Sequence, residues 1–590
     1  MRTMPQIEEG RGTLSIVDKR LALTVSEGHV SAPQGGQIDL SGSTFVIPQT
    51  GPRAPAEIEL ELAGGLTAVM SLLNLEPFSV LRNSDLPVSF AQGQAQVQAS
   101  IAMPLGRDVV SDERLWSATA TLRNLRSEVL IPDQVLTASN VQVRVDKDSL
   151  VVNGPMRVGD VGGTATFSRA LGAGSEGTAR VAANVTIGPS FLETFNVNLP
   201  PGMVTGEGPA RLELDLSDPA APDFTLTSNL QGVGLSLANV GWSKARNATG
   251  SLTVSGQLGG TPRIDRLDVN APGLEANGSI ALASGGGLDR ATFRRVRLGG
   301  WLDAPVELIG RGRGRAVGVQ IAGGSLDLRQ ANFGSGSGSG GSSDSGPLEI
   351  ALNRLRITDS IFLDNFRGQF VSNGGLQGEF TGNVNGAAGV RGTLVPVRGQ
   401  SAVQIVTQDA GALLRATGLI PGALNGDLQL TLTPTGAEGT YDGTVVAHDL
   451  RVRDAPALAS LLDAVSVVGL ITQLDGQGLM FKDIDAQFRL TPSQIIVTEA
   501  SAVGPSMGLS IDGIYTQAQR LMDFQGVVSP FFLINGIGSV FTRRGEGLIG
   551  FNFNLRGSVD NPQVSVNPLS ALTPGMFREI FRRAPPTVDQ

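Results

Sequence analysis

Asp427-Leu-Gln-Leu-Thr-Leu-Thr433 decides the fold of this chain. Leu428, Leu430 and Leu432 alternate with polar neighbours, so a strand here carries its leucines on one face and leaves the other to water. The same period of two returns at Val141, Val143 and Val145, at Leu212, Leu214 and Leu216, and at Phe551, Phe553 and Leu555. Asn153-Gly154, Asn277-Gly278 and Asp512-Gly513 read as turns separating such runs. The 78 glycines and 32 prolines are spread along all 590 residues instead of pooling in one tail. That is the texture of many short strands, in a chain too long for one compact core.

Around the opening stretch the pattern changes period. Asp409-Ala-Gly-Ala-Leu-Leu-Arg-Ala-Thr-Gly-Leu419 reads as a short helix before the strand, and Thr444–Arg453 as a strand after it. In Pro456–Leu474 the residues Leu458, Leu461, Leu462, Val465, Val468 and Ile471 recur at helical spacing, which predicts one amphipathic helix. It would either pack on the sheet or act as a lid over a groove. Gly65–Leu75 and Ser190–Thr194 read as two further helical interruptions. A short basic helix over Pro574–Arg583 would set Met576, Phe577, Ile580 and Phe581 on one face, with Arg578, Arg582 and Arg583 as its cations. Such a helix suits an anionic membrane surface. It would equally serve as a cap on the last strand edge.

Composition narrows the function. The chain has no cysteine, which removes disulfides, thiolate metal sites and thiol catalysis. Its two histidines, His29 and His448, lie far apart and read as surface strand residues. No Gly-x-Ser-x-Gly elbow supports a hydrolase. Gly310-Arg-Gly-Arg-Gly-Arg315 lacks the form of a phosphate loop. Acidic residues are dispersed, so no metal cage and no cofactor is expected. A formal net charge of −9 without a basic stripe argues against nucleic acid as a partner. The reading is of a protein that is not an enzyme. No run of about 18 apolar residues exists to span a bilayer as a helix. Residues 1–10 lack the pattern of a signal peptide.

A sheet with one apolar face must hide it. A sandwich, a barrel, and a long sheet bent around an apolar groove all satisfy the alternation. Only 3 Trp and 2 Tyr disfavour a transmembrane barrel with aromatic girdles. Roughly 35–45 strands stacked at about 4.8 Å would extend on the order of 170–220 Å. The fold expected is mainly β: an elongated, strongly curved antiparallel sheet forming a U-shaped groove, with a few short helices. Its expected divisions are a groove segment over 1–333, a flexible Gly/Ser loop over 334–346, and a second groove region over 347–590. The candidate groove lining is Val141, Val143, Val145, Leu212, Leu214, Leu216, Leu428, Leu430, Leu432, Phe551, Phe553 and Leu555.

Three motifs in fixed order carry a resemblance: Asp409–Leu419, Asp454-Ala-Pro-Ala-Leu-Ala-Ser-Leu-Leu462, and Asn567-Pro-Leu-Ser-Ala-Leu-Thr-Pro-Gly575. With them the last third of the chain resembles the C-terminal region of the AsmA-like family of Gram-negative envelope proteins, in its YhdP branch. Residues 1–400 share the texture but not the motifs. The resemblance implies a β-groove in the periplasm that conducts phospholipid between inner and outer membranes, with both membrane surfaces and an outer-membrane barrel protein as partners. It also implies an inner-membrane anchoring helix, which this sequence does not carry, so the chain reads as a fragment. The alternative within the same family is a TamB-like assembly factor for outer-membrane proteins.

Overall fold

The computed structural model describes residues 5–586 apart from 77, 82–83, 85, 106–114, 172–177, 261, 284–286, 313, 332–345, 373–374, 438, 531–542, 560, 574–576, 579 and 581. The chain is mainly β, 60% strand and 9% helix. It divides into two compact units, one drawn mainly from Met1–Gly287 and the other from Leu288–Ala331 and Gly338–Gln590.

In the first unit, each strand from Pro55–Gly65 to Leu274–Leu282 pairs antiparallel with the next strand of the sheet. A separate sheet of three short strands, Val204–Gly206, Val233–Leu237 and Trp242–Lys244, sits beside it. Lys244 is buried there and donates to the carbonyls of Leu230, Val233 and Ala245, at 2.7, 2.8 and 3.2 Å. Burial pushes its ammonium below the usual lysine value.

The second unit departs from the antiparallel expectation at one place. Gly318–Ala322 and Ser325–Asp327 both run parallel to Pro347–Arg356. Parallel neighbours need a long connection, and residues 328–346, which contain the Gly/Ser stretch, supply it. From Pro347–Arg356 to Asn561–Asn567 the ladder is antiparallel throughout. The expected loop itself falls on residues outside the described ones, save Gly346.

Neither terminal strand closes a barrel. Ile7–Val17 pairs only with Arg20–Ser31, and Asn561–Asn567 only with Phe551–Ser558, among the described residues. Of the three ways to hide an apolar face, the closed barrel is the one this pairing does not use among the described residues.

The helices are α1 (Leu66–Leu73), α2 (Pro189–Thr194), α3 (Ala410–Ala416), α4 (Pro456–Ala464) and α5 (Val468–Asp475). Asp409 caps α3 by accepting the Ala412 N–H at 2.8 Å. The single helix expected over Pro456–Leu474 is two. Ser466 turns left-handed at φ +57°, and the N–H groups of Ser466 and Val467 close back on Asp463 and Leu462. The apolar periodicity runs through the break because both helices bury the same stripe; backbone conformation, not hydrophobicity, ends α4. No helix among the described residues is long and apolar enough to cross a membrane.

Within each unit the helices gather at one rim of the sheet. In the first unit α1 follows the end of Pro55–Gly65 and α2 the end of Ala179–Ile187, which the register sets at the same level. In the second, α3 and the α4–α5 pair follow strands whose ends meet through Thr407, Leu428 and Ala447. The opposite rim carries hairpin turns.

Three expected turns are mid-strand. Asn153-Gly154, Asn277-Gly278 and Asp512-Gly513 lie inside Ser149–Val158, Leu274–Leu282 and Met507–Thr516. At Gly154 and Gly513 a neighbouring backbone or ring presses close: a Cβ on Gly154 would meet the Asn140 carbonyl at 2.7 Å. The chain reverses instead at Gly159 and Gly273, both at positive φ.

Candidate functional site

Directly opposed residues in a β-pair, antiparallel or parallel, point to the same face, so the register traces each face across a unit. In the first unit one row runs Leu62, Val97, Ala120, Val143, Val152, Phe167, Val181, Leu214, Phe224, Gly256, Ile264, Ile280. In the second it runs Phe293, Val306, Ile321, Ile350, Gly368, Phe380, Gly392, Ile405, Leu430, Val445, Ala486, Ala500, Ile511, Gly526, Phe553, Val566. Every member of both rows is apolar or glycine. Alternation within each strand thus adds up, strand by strand, to an unbroken apolar face.

The expected lining residues all join such a face, at two depths. Val141, Leu428 and Phe553 are buried near the helical rim, where the helices cover them. α4 and α5 contribute Leu461, Leu462, Leu470 and Leu474 to the cluster that holds Leu428 and Phe553. Val143, Val145, Leu212, Leu214, Leu430, Leu432, Phe551 and Leu555 are half-buried. Leu216 is half-buried too, one residue past its strand, its N–H bonded to Ala179 O at 2.8 Å. Each unit therefore presents an apolar surface walled by helices along one margin.

Sequence reasoning missed the glycines that shape this surface. Phe380 lies opposite Gly368 and Gly392, Phe488 opposite Gly443, and Phe553 opposite Gly526. Cβ atoms on Gly392 and Gly443 would overlap the rings of Phe380 and Phe488. The rings lie flat on their neighbours, which keeps the face smooth. Spacing of Phe in one strand and Gly in the next was the available signal, but only the register pairs them.

The reverse face is polar and laced with ion pairs. Arg295 and Arg297 converge on Asp303, Arg489 forks onto Asp442, and Arg290 pairs with Glu307. The Arg295 hydrogen bonds hold the Asp303 carboxyl down at about 2. A depression of about 450 Å³ also opens on this face, lined by Thr166, Ser168, Arg180, Glu213, Asp215 and Asp223 among others. It is open and of mixed lining: the polar side chains sit on the reverse face, and Val181, Leu214 and Phe224 of the apolar row border it.

The basic C-terminal segment differs from its expectation. Met576 and Phe581 lie outside the described residues, and no α-helix is formed there among the described ones. Phe577 and Ile580 are exposed, as expected. Arg578 and Arg582, however, turn inward. Arg578 is 1% exposed and donates to the Gly547 and Leu548 carbonyls. Arg582 bridges Asp512 and Glu546. Arg583 is partly exposed and pairs with Asp523. Backbone carbonyls hold the Arg578 guanidinium and carboxylates hold that of Arg582, tertiary partnerships invisible to helical periodicity.

His29 lies 2.9 Å from Gln37 Nε2 and 3.3 Å from Glu8, and His448 lies 3.1 Å from Asp427. No group of acidic or histidine side chains among the described residues is arranged to hold a metal. Comparison with protein-family models and with curated proteins returned no match.

Proposed function

We propose that this protein holds phospholipid acyl chains on its apolar β-faces and supports their passage between the inner and outer membranes of a Gram-negative envelope. The observation that carries the reading is the unbroken apolar row in each unit, half-buried over most of its members and, among the described residues, uncovered by a second large sheet. An acyl chain laid along it would gain about 0.8 kcal/mol for each methylene removed from water. Those contacts are alike from strand to strand, so movement meets no single deep well and needs no catalytic group. Location in the periplasm, and contact with both membrane surfaces, rest on the resemblance of Asp409–Leu419, Asp454–Leu462 and Asn567–Gly575 to the AsmA-like family.

The test pairs lipid mass spectrometry of the purified chain with photo-crosslinking from four positions. Leu214 and Leu430, on the open part of the face, should yield phospholipid adducts. Val141 and Phe553, under the helices, should crosslink to protein alone. A chain that retains no phospholipid and gives only protein adducts at Leu214 and Leu430 would sink the proposal.

One observation favours the second reading, an assembly factor for outer-membrane proteins. Ile7–Val17 is exposed along its whole length and, among the described residues, pairs along one edge alone, which suits pairing with a client strand. Stable capture of a barrel-assembly protein by the lipid-free chain would select it.

A further inference from the structure

On the reverse face of the strands Met507–Thr516, Leu521–Pro530 and Phe551–Ser558, opposite the apolar row, lies an acidic slot. Asp512 and Asp523 come from the strands, and Glu546 from the connection that precedes Phe551. Ser510 Oγ donates to Glu546 at 2.7 Å and fixes it. Arg578, Arg582 and Arg583 of the C-terminal segment occupy this slot. Arg582 donates to Glu546 at 2.8 Å and also to Asp512, its side chain 7% exposed against 2% for Asp512 and 5% for Glu546. Arg583 places two N–H groups on Asp523, at 2.8 and 3.2 Å.

The slot reads main chain as well as side chain. Gln525 accepts from the Arg583 N–H at 3.0 Å and donates to the Arg583 carbonyl at 2.7 Å. The Asn552 amide donates to the Arg578 carbonyl at 3.1 Å. A side-chain amide that grips both polar groups of one residue recognises a peptide whatever that residue is; the carboxylates then select arginine.

The occupant adds no strand to the sheet, and its fit is incomplete. Four buried side-chain polar atoms lack a hydrogen-bond partner among the described residues, and all four belong here: Arg578 Nε and Nη1, Arg582 Nε, and Asn552 Oδ1. Buried charge pairs recover little beyond their desolvation, and unmet donors subtract from that. Selective contacts and a poor balance together mark a segment that is recognised but weakly held.

We propose that this slot is a docking site for a short arginine-bearing peptide, occupied in cis by Arg578, Arg582 and Arg583 of the protein's own tail, which can leave and return without unfolding the sheet. Release uncovers Asp512, Glu546 and Asp523 together and frees the exposed apolar residues Phe577 and Ile580 from their fixed place. The site is independent of lipid binding, since it lies on the other face.

The experiment uses the full chain. Hydrogen exchange is followed by mass spectrometry in peptides covering 577–586 and 507–516, and a fluorescent synthetic peptide of residues 577–590 is titrated into the same protein. The tail amides should exchange at least about 100-fold faster than those of Met507–Thr516, as expected of a local opening. The labelled peptide should bind saturably. Its Arg582→Lys version, which keeps the charge but loses the fork, should bind at least about tenfold more weakly. Because that change is in the peptide, folding of the protein is untouched. Exchange of the tail in step with the strands, no saturable binding, or equal binding of the Lys peptide would each overturn the proposal. Concentration-dependent dimers held by the tail would also overturn it, by making the occupant a second copy.

Discussion

At the scale of single residues, the glycines decide the quality of the apolar surface. Gly392 takes the Phe380 ring against its bare Cα, and Phe380 is 8% exposed. Gly392→Ala forces the ring off its rotamer or the strands apart. It should cost about 1–3 kcal/mol, the usual penalty of overpacking, read as a lower urea midpoint. A midpoint equal to wild type would show that the ring has room to move. His448 gives a pH signature. The hydrogen bond to Asp427, aided by Asp483 and Asp449, raises its pKa above 6.5. A raised folded value means that the contribution is complete below the unfolded value of 6.5 and disappears as pH climbs through the folded one. Stability should therefore fall between pH 5.5 and 8.5 by more in the wild type than in Asp427→Asn, as measured by denaturant titration; an equal fall in both would remove the pair from the account. That histidine was legible as a surface strand residue, but its partner, 21 positions away, was not.

At the scale of elements, the helices form where apolar residues recur at helical spacing, and among the described residues four of the five expected segments contain α-helix. The exception is the basic C-terminal segment, where arginines that complete an amphipathic pattern on paper find carbonyls and carboxylates elsewhere in the fold. The break between α4 and α5 was equally hidden, because Val465 and Val468 keep the apolar spacing across it. Ser466 holds a left-handed conformation that favours glycine. Ser466→Gly should raise stability by up to about 1 kcal/mol, seen as a higher denaturation midpoint, with the α4–α5 packing unchanged. A loss of stability would mean that the serine side chain secures the turn.

At the scale of the molecule, the main sheet has an apolar and a polar face in each unit. Helices wall one margin of the apolar face, and ion pairs such as Arg295–Asp303 cover the polar one. This division of labour separates the two proposed sites. Acyl chains belong to the apolar side and the arginine slot to the other, so either can fail its test while the other stands.

The sequence by itself determined that the chain is mainly β, that its strands are two-faced, and which leucines, valines and phenylalanines share a face. Period-two alternation is a local property, set by the geometry of an extended backbone and carried in each strand separately. It also excluded thiol chemistry, because no cysteine is present. Only the tertiary structure decided which strand lies beside which. That register turned isolated triplets such as Val141–Val145 and Leu428–Leu432 into continuous rows, and it seated phenylalanine rings on glycines of neighbouring strands. It moved Asp512-Gly513 from a turn into a strand, and it turned Arg578 and Arg582 from an expected membrane face or edge cap into a buried clasp. All of these depend on partners distant in the chain, where the free energy of pairing two groups leaves no trace in the local pattern of either.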